Sequence, residues 1–171
     1  MTIKRKNQVA GLLLALMLLA FVLPTAAQDA PPPPVVRLEV NPLTANVGDT
    51  ITVAVRLENV TELYGLQVTC QVDPTILAGT THVEGDAFNG GSSFYVDQGM
   101  KPEGKWLVAA TRLQPNPAFS GNGTAFTFQY TLQSAVSTSL NCTTLGVDSR
   151  SMRLPLTLVN GTPAITAGIV P

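Results

Sequence analysis

Residues 47–74, VGDTITVAVRLENVTELYGLQVTCQVDP, decide the fold. Apolar and polar residues alternate over 51–58 and again over 64–72, which is the pattern of strands that bury one face. The sequence predicts a turn at 59–62 between these strands. Asp73-Pro74 ends the second strand, because proline has no backbone N–H to donate. Each strand leaves an apolar face that other strands must cover, so the stretch predicts a β-sandwich.

The same alternation recurs along the rest of the chain and predicts about nine strands separated by turns, with no helix after residue 27. In 105–113 two alternating sets of residues, one beginning with Trp106 and the other with Leu107, are both largely apolar. The sequence leaves open which set faces the core. The predicted strands lie at 36–40, 51–58, 64–72, 82–88, 94–97, 105–113, 125–132, 139–147 and 164–170, with a shorter piece at 154–159.

The first 27 residues have the order of a secretory signal peptide. Basic residues at 4–6 precede 15 uncharged apolar residues at 9–23, and Pro24-Thr25-Ala26-Ala27 offers small residues to signal peptidase. We expect cleavage after Ala27, and therefore a secreted, extracellular bacterial protein without a membrane segment. The alternative is an uncleaved membrane anchor, but a spanning helix needs about 20 apolar residues.

Residues 28–35 form a proline-rich linker before the domain at 36–171. Its run Pro31-Pro32-Pro33-Pro34 favours polyproline II and cannot join a sheet. We interpret it as a short stiff spacer, with recognition by a proline-binding partner as the alternative. Without residues 1–27, 144 of the 171 residues remain, which is enough for one domain with a real core.

The charge of the chain excludes two classes of partner. The full sequence holds ten lysines and arginines, and removing the three in the leader leaves seven against eleven acidic residues, a net charge of −4. A mildly acidic domain without a basic cluster lacks the electrostatic footprint needed for nucleic acid or an anionic membrane.

Cys70 and Cys142 are a disulfide candidate in an exported protein. Each cysteine alternates in phase with apolar neighbours, so both side chains should point into the core. A reactive thiol is the alternative, but neither cysteine lies near the single histidine, His82. We therefore predict a buried structural pair, either bonded or merely adjacent.

The sequence does not indicate an enzyme. It has one histidine, no cluster with metal-ligand spacing and no Gly-x-Ser-x-Gly elbow. Glu84 and Asp86 together fall short of the six to eight oxygens that calcium prefers. We therefore predict no catalytic residues, no metal and no cofactor. Other acidic residues could form carboxylate pairs, but none lies in a recognisable hydrolase context. They are Asp73, Asp97 and Glu103.

The order of these features resembles that of a cohesin domain, the module that binds dockerins in cellulosome-type assemblies. The resemblance covers nearly the whole chain after the linker. The residues that carry it lie at 38–40, 47–50, 53–60, 64–67, 72–74, 77, 85–88, 104–110, 123–132 and 160–161.

The resemblance implies a nine-stranded jelly-roll β-sandwich in which one sheet orders its strands 8-3-6-5. Strand three, with Cys70, would then lie beside strand eight, with Cys142, which favours the disulfide. The family binds dockerins on the outer face of this sheet. Carried over, the partner-binding residues are Gln67, Thr69, Gln71, Tyr95, Asp97, Asn141 and Thr143.

Several alternatives stay open at this point. Glutamine and threonine also occupy the wet side of any exposed sheet. The chain has one domain, with no internal repeat or dockerin-like calcium loop, so we expect a stand-alone secreted module with a dockerin-bearing protein as its partner. Polysaccharide could instead bind directly, with Tyr64, Tyr95 and Trp106 as stacking platforms, or the domain could be a structural part of a cell-surface assembly.

Overall fold

The computed structural model describes residues 30–88 and 93–168. The predicted leader at 1–27 and the end of the predicted last strand lie outside these residues. Within the described part of the chain, no helix is both long enough and apolar enough to cross a membrane.

The described residues form twelve strands, nine of which have four or more residues. The only helical element among them is a single 3-10 turn at Asp86–Phe88. The strands are β1 (Val35–Asn41), β2 (Thr44–Ala45), β3 (Thr50–Leu63), β4 (Gly65–Gln71), β5 (Leu77–Glu84), β6 (Ser93–Met100), β7 (Lys105–Arg112), β8 (Phe119–Leu132), β9 (Thr138–Ser139), β10 (Asn141–Val147), β11 (Thr157–Val159) and β12 (Ala164–Ala167).

Two sheets form the sandwich, as the alternation predicted. One has the strand order β11-β1-β3-β8-β5 and the other the order β10-β4-β7-β6. The second order is the counterpart of the 8-3-6-5 sheet that the resemblance implied. A small third sheet, β2-β12-β9, lies outside these two.

The core lies between the two sheets, where inward side chains of alternate residues meet. β3 buries Ile51, Val53, Val55 and Leu57, each no more than 1% exposed. The ring of Trp106 packs edge-on against Phe128 and Tyr130 at centroid distances of 5.1 and 5.3 Å. The structure therefore settles the inward face of β7, since Trp106, Val108 and Ala110 are buried. Such aromatic pairs add stabilisation beyond the area that they bury.

The predicted turn at 59–62 is wrong, because β3 runs through it to Leu63. The strand absorbs the extra residues as bulges opposite β8. Asn59 and Glu62 adopt left-handed φ angles of 52° and 57° there. Their amides donate to the side chains of Asn122 and Ser120 on β8. β8 begins at Phe119, before the predicted strand at 125–132, because its first residues pair with the bulged part of β3.

The predicted strand at 82–88 is also displaced. β5 begins earlier, at Leu77, and ends at Glu84, before the 3-10 turn. Gly85 makes the change of direction possible, because a Cβ there would lie 2.0 Å from the Thr124 carbonyl oxygen.

Cys70 and Cys142 are bonded to each other, as predicted. They lie directly opposite each other on β4 and β10, and both are buried, with exposures of 0% and 4%. The bond closes a sequence separation of 72 residues. It therefore ties an edge strand of the four-stranded sheet to its neighbour from the core side.

Candidate functional site

The outward side chains of β10, β4, β7 and β6 form one surface, which we call the four-stranded face. Cross-strand pairing orders it into rows, because residues directly opposite each other point to the same side of a sheet. One row runs Val147, Gly65, Thr111, Phe94, and the next runs Leu145, Gln67, Ala109, Val96. Thr143, Thr69 and Leu107 follow, and then Asn141, Gln71 and Lys105.

The first two rows carry five apolar side chains, which we call the apolar rows. Phe94, Val96 and Leu145 are 57%, 39% and 38% exposed. Ala109 and Val147 are half-buried. Neighbouring exposed apolar side chains on one face are characteristic of interaction surfaces, whereas scattered single ones need no explanation.

Gly65 makes the centre of the apolar rows flat. A Cβ at this position would lie 3.1 Å from the Val147 Cγ2 atom and 3.5 Å from the Thr111 Oγ1 atom. The side chains of Val147 and Thr111 therefore lean over the glycine from both sides. The absence of a side chain at Gly65 leaves room for these two side chains, which keeps this part of the face flat.

The other two rows are mostly polar and contain four of the seven residues that the sequence predicted, while a fifth, Gln67, lies within the second apolar row. Gln67, Thr69 and Gln71 point outward from β4, and Asn141 and Thr143 point outward from β10. The Gln71 amide donates to the Glu103 carbonyl oxygen at 2.6 Å. Lys105 is the only charged residue among the outward positions of the four rows. The surface can therefore offer amide and hydroxyl hydrogen bonds but little net charge.

Tyr95 and Asp97 were wrongly placed on this face. They lie opposite Ala110 and Val108, which are buried, so both point inward. The residues between them on the strand, Phe94 and Val96, point outward instead. The physical reason is that the polar atoms of Tyr95 and Asp97 form hydrogen bonds on the inner side of the strand. These bonds offset the free-energy cost of removing the polar atoms from water.

Tyr95 bridges to the opposite sheet. Its hydroxyl donates to the Ala125 carbonyl oxygen on β8 at 3.1 Å. Its ring lies 6.5 Å from Phe88 and 6.4 Å from Phe126 in edge-on contacts. Burial raises the pKa of Tyr95 to about 12, and the nearby Glu84 carboxylate adds to the shift.

Asp97 accepts three hydrogen bonds. The donors are the Trp106 indole at 2.6 Å, the Gly99 amide at 2.7 Å and the Nδ1 atom of His82 at 2.7 Å. Burial by itself would raise the pKa of Asp97, but the bonds from Trp106, Gly99 and His82 outweigh it and hold the pKa below its ordinary value.

The outer face of the five-stranded sheet has a different character. Arg37 forms two bonds to Glu58, at 2.6 and 3.0 Å, and Arg56 bonds to Glu39 at 2.8 Å. These residues therefore form ion pairs with one another across β1 and β3. The four-stranded face, with its exposed apolar rows, is therefore the stronger candidate for a partner.

The three aromatic residues considered as sugar-stacking platforms do not form an exposed surface. Trp106 is 1% exposed and belongs to the core. Tyr95 points inward, and Tyr64 is half-buried with its hydroxyl oxygen inaccessible. Phe94 is the aromatic residue that the four-stranded face exposes. Among residues 30–88 and 93–168, no group of three or more potential metal ligands comes together.

The sequence model of the Cohesin domain family matches residues 36–162. The chain is 28% identical over 119 residues to cell surface glycoprotein 1 of Acetivibrio thermocellus. That match covers 70% of this chain and 5% of the relative, so the chain spans only a small part of the relative's length.

Solved structures share the fold. A type II cohesin domain from the cellulosome of Acetivibrio cellulolyticus superposes with a TM-score of 0.69 at 16% identity, covering 78% of this chain and 95% of that one. The second is an N-terminal interface mutant of a type II cohesin–X-dockerin complex from the same organism. It gives a TM-score of 0.66 at 15% identity, covering 79% of this chain and 99% of that one.

Proposed function

Because the chain belongs to the cohesin domain family, we propose that it is a non-catalytic module that binds a dockerin-bearing protein through its four-stranded face. The observation that carries the proposal is the pair of apolar rows, exposed on a flat sheet beside uncharged polar residues. Apolar side chains beside uncharged polar ones, with few charged residues, match the composition of a specific protein interface. A solved structure with the same fold contains a dockerin, which supports this choice of partner.

The partner would contact both halves of the face. The apolar rows, with Phe94, Val96 and Leu145 as the most exposed members, would exclude water at the centre of the interface. Gln67, Thr69, Gln71, Asn141 and Thr143 would supply hydrogen bonds beside them. Tyr95 and Asp97 would act from behind the sheet and would not touch the partner.

We propose that the module works outside the cell. The order of residues 1–27 favours export, and residues 28–35 would serve as a spacer between the cleavage site and the domain. The similarity to a cell surface glycoprotein supports an extracellular setting. Participation in extracellular polysaccharide degradation rests on the family alone.

Binding to a panel of dockerins encoded by the same organism tests this function. Isothermal titration should give a specific complex with at least one dockerin. In affinity electrophoresis, no glycan in the gel should retard the module. Failure with every dockerin, together with retention on a glycan, would overturn protein recognition in favour of direct polysaccharide binding. Failure in both assays would favour a purely structural module.

A further inference from the structure

The two most exposed members of the apolar rows lie on an edge strand of their sheet. Phe94 and Val96 belong to β6, which is an edge strand and pairs only with β7 among the described residues. The pairing register shifts between Asp97 and Met100. An edge strand with a bulge has fewer backbone bonds to fix its position, so other contacts must hold these side chains in place.

Asp97 supplies those contacts from the inner side of β6. Its Oδ1 atom accepts from the Trp106 indole on β7 and from the Gly99 amide at the bulge, and its Oδ2 atom faces the Nδ1 atom of His82 on β5. One side chain therefore joins the strand to its neighbour, to the bulge and to the opposite sheet. We call Asp97, His82 and Trp106 the edge cluster.

The chemistry of the edge cluster fixes the direction of each bond. A carboxylate can only accept, so His82 must donate from Nδ1–H. Its Nε2 atom carries no role in the cluster. The side chains of Asp97 and His82 are 23% and 18% exposed, so the cluster is partly shielded from water. Charge-assisted bonds with this shielding hold a geometry better than exposed ones do.

A neighbouring side chain, Tyr95, connects the edge cluster to β8. The His82 ring lies 5.7 Å from the Tyr95 ring, and Tyr95 in turn bonds to β8. Both inward residues of β6 between Ser93 and Gln98 therefore anchor the strand to the five-stranded sheet. The outward residues next to them are Phe94 and Val96.

We propose that Asp97 is a positioning residue, which through His82 and Trp106 holds β6 so that Phe94 and Val96 present the apolar rows to a partner. The part of this inference that concerns the partner rests on the proposed function. The part that concerns the strand does not, because it can be measured on the free protein.

Hydrogen exchange of the backbone amides tests the strand first. Asp97→Ala should speed exchange in β6 about tenfold relative to β4, because the variant leaves the buried Trp106 indole and the partly exposed His82 ring without their acceptor. Asp97→Asn should restore most of the protection, since an amide oxygen still accepts from Trp106 and Gly99. Glu39→Ala, which removes a carboxylate on the opposite outer face, should leave β6 unchanged.

His82→Ala keeps the test open if Asp97→Ala fails to fold, because Asp97 retains two of its three bonds in that variant. It should speed exchange in β6 about threefold. Equal changes in β6 and β4, or no change in β6, would overturn the inference, because the cluster would then support only the whole fold or nothing.

Partner binding is the second measurement. Asp97→Ala should weaken the affinity for a dockerin that binds the parent about tenfold, and Asp97→Asn should stay within about threefold of the parent. If the parent binds and Asp97→Ala binds equally well, the positioning role is refuted. If the parent binds no dockerin, the proposed function fails, and the exchange data alone decide whether Asp97 holds β6.

Discussion

Replacing both cysteines by alanine should cost the protein a large share of its stability. The bond between Cys70 and Cys142 closes a separation of 72 residues. The chain-entropy relation for a loop of that length gives about 4 kcal/mol of stabilisation through the unfolded state. Both positions are buried, so removing the sulfur atoms also leaves small cavities in the core. We expect the free energy of unfolding to fall by about 3–5 kcal/mol.

Urea denaturation followed by the fluorescence of the single tryptophan measures this change. Trp106 is 1% exposed in the folded protein, so its emission reports the loss of the core. Parent protein kept reduced by an excess of dithiothreitol throughout the titration should lose most of the same stability. If the double variant and the oxidised parent agree within about 1 kcal/mol, the bond does not stabilise the sandwich by the loop-closure mechanism.

Three further predictions concern buried hydroxyls, acid and salt. The buried Tyr130 hydroxyl has no hydrogen-bond partner within the part of the chain that the structure describes, whereas the Tyr95 hydroxyl has one. In thermal unfolding, Tyr130→Phe should therefore leave stability unchanged or raise it by up to about 1 kcal/mol, and Tyr95→Phe should lower it by about 1 kcal/mol; the reverse order would contradict these assignments. Because the pKa of Asp97 is lower in the folded protein than in the unfolded one, its contribution to stability is present above about pH 4 and is lost as the pH falls through the folded pKa. Chemical denaturation between pH 2 and 6 should show a shallower acid loss for Asp97→Asn, and identical slopes would argue against this linkage. Since Lys105 is the only charged outward residue in the four rows, the dissociation constant of a partner complex should change less than about threefold between 0.05 and 0.5 M NaCl; a change of tenfold or more in titrations would show that ion pairs dominate binding.

Much of the sandwich follows from alternation because one face of most strands is polar. In β3 and β4 the residues at every second position are apolar, so both the strand and its buried face could be predicted. Alternation also placed Cys70 and Cys142 in the core, since they share their phase with buried neighbours, whereas the bond between them was favoured by the strand order that the family resemblance implied. The bulges at Asn59 and Glu62 could not be predicted in this way, because they depend on side chains of β8 that come about 60 residues later in the chain.

The candidate site was harder to predict, because alternation did not identify the inward face of β6 or β7. The alternation in β7 was ambiguous, since Ala109 lies on the apolar rows while Val108 lies in the core. In β6 the family resemblance placed Tyr95 and Asp97 on the outer face, whereas they point inward and Phe94 and Val96 point outward. A signal was present in the sequence: β7 carries apolar residues on both faces, which indicates that its outer surface is also covered, and an interface is one way to cover it.

A matched pair of variants tests most directly whether the four-stranded face binds the partner. Thr69 and Thr127 are half-buried threonines on the outer faces of the two sheets, and Thr69→Lys and Thr127→Lys place the same charge on each. Both variants should fold with similar thermal stability. In isothermal titration with a dockerin that binds the parent, Thr69→Lys should weaken binding by tenfold or more, because the interface would bury an unpaired ammonium group. Thr127→Lys should bind as the parent does. Equal affinity of Thr69→Lys and the parent, or a loss confined to Thr127→Lys, would contradict the placement of the binding site on the four-stranded face.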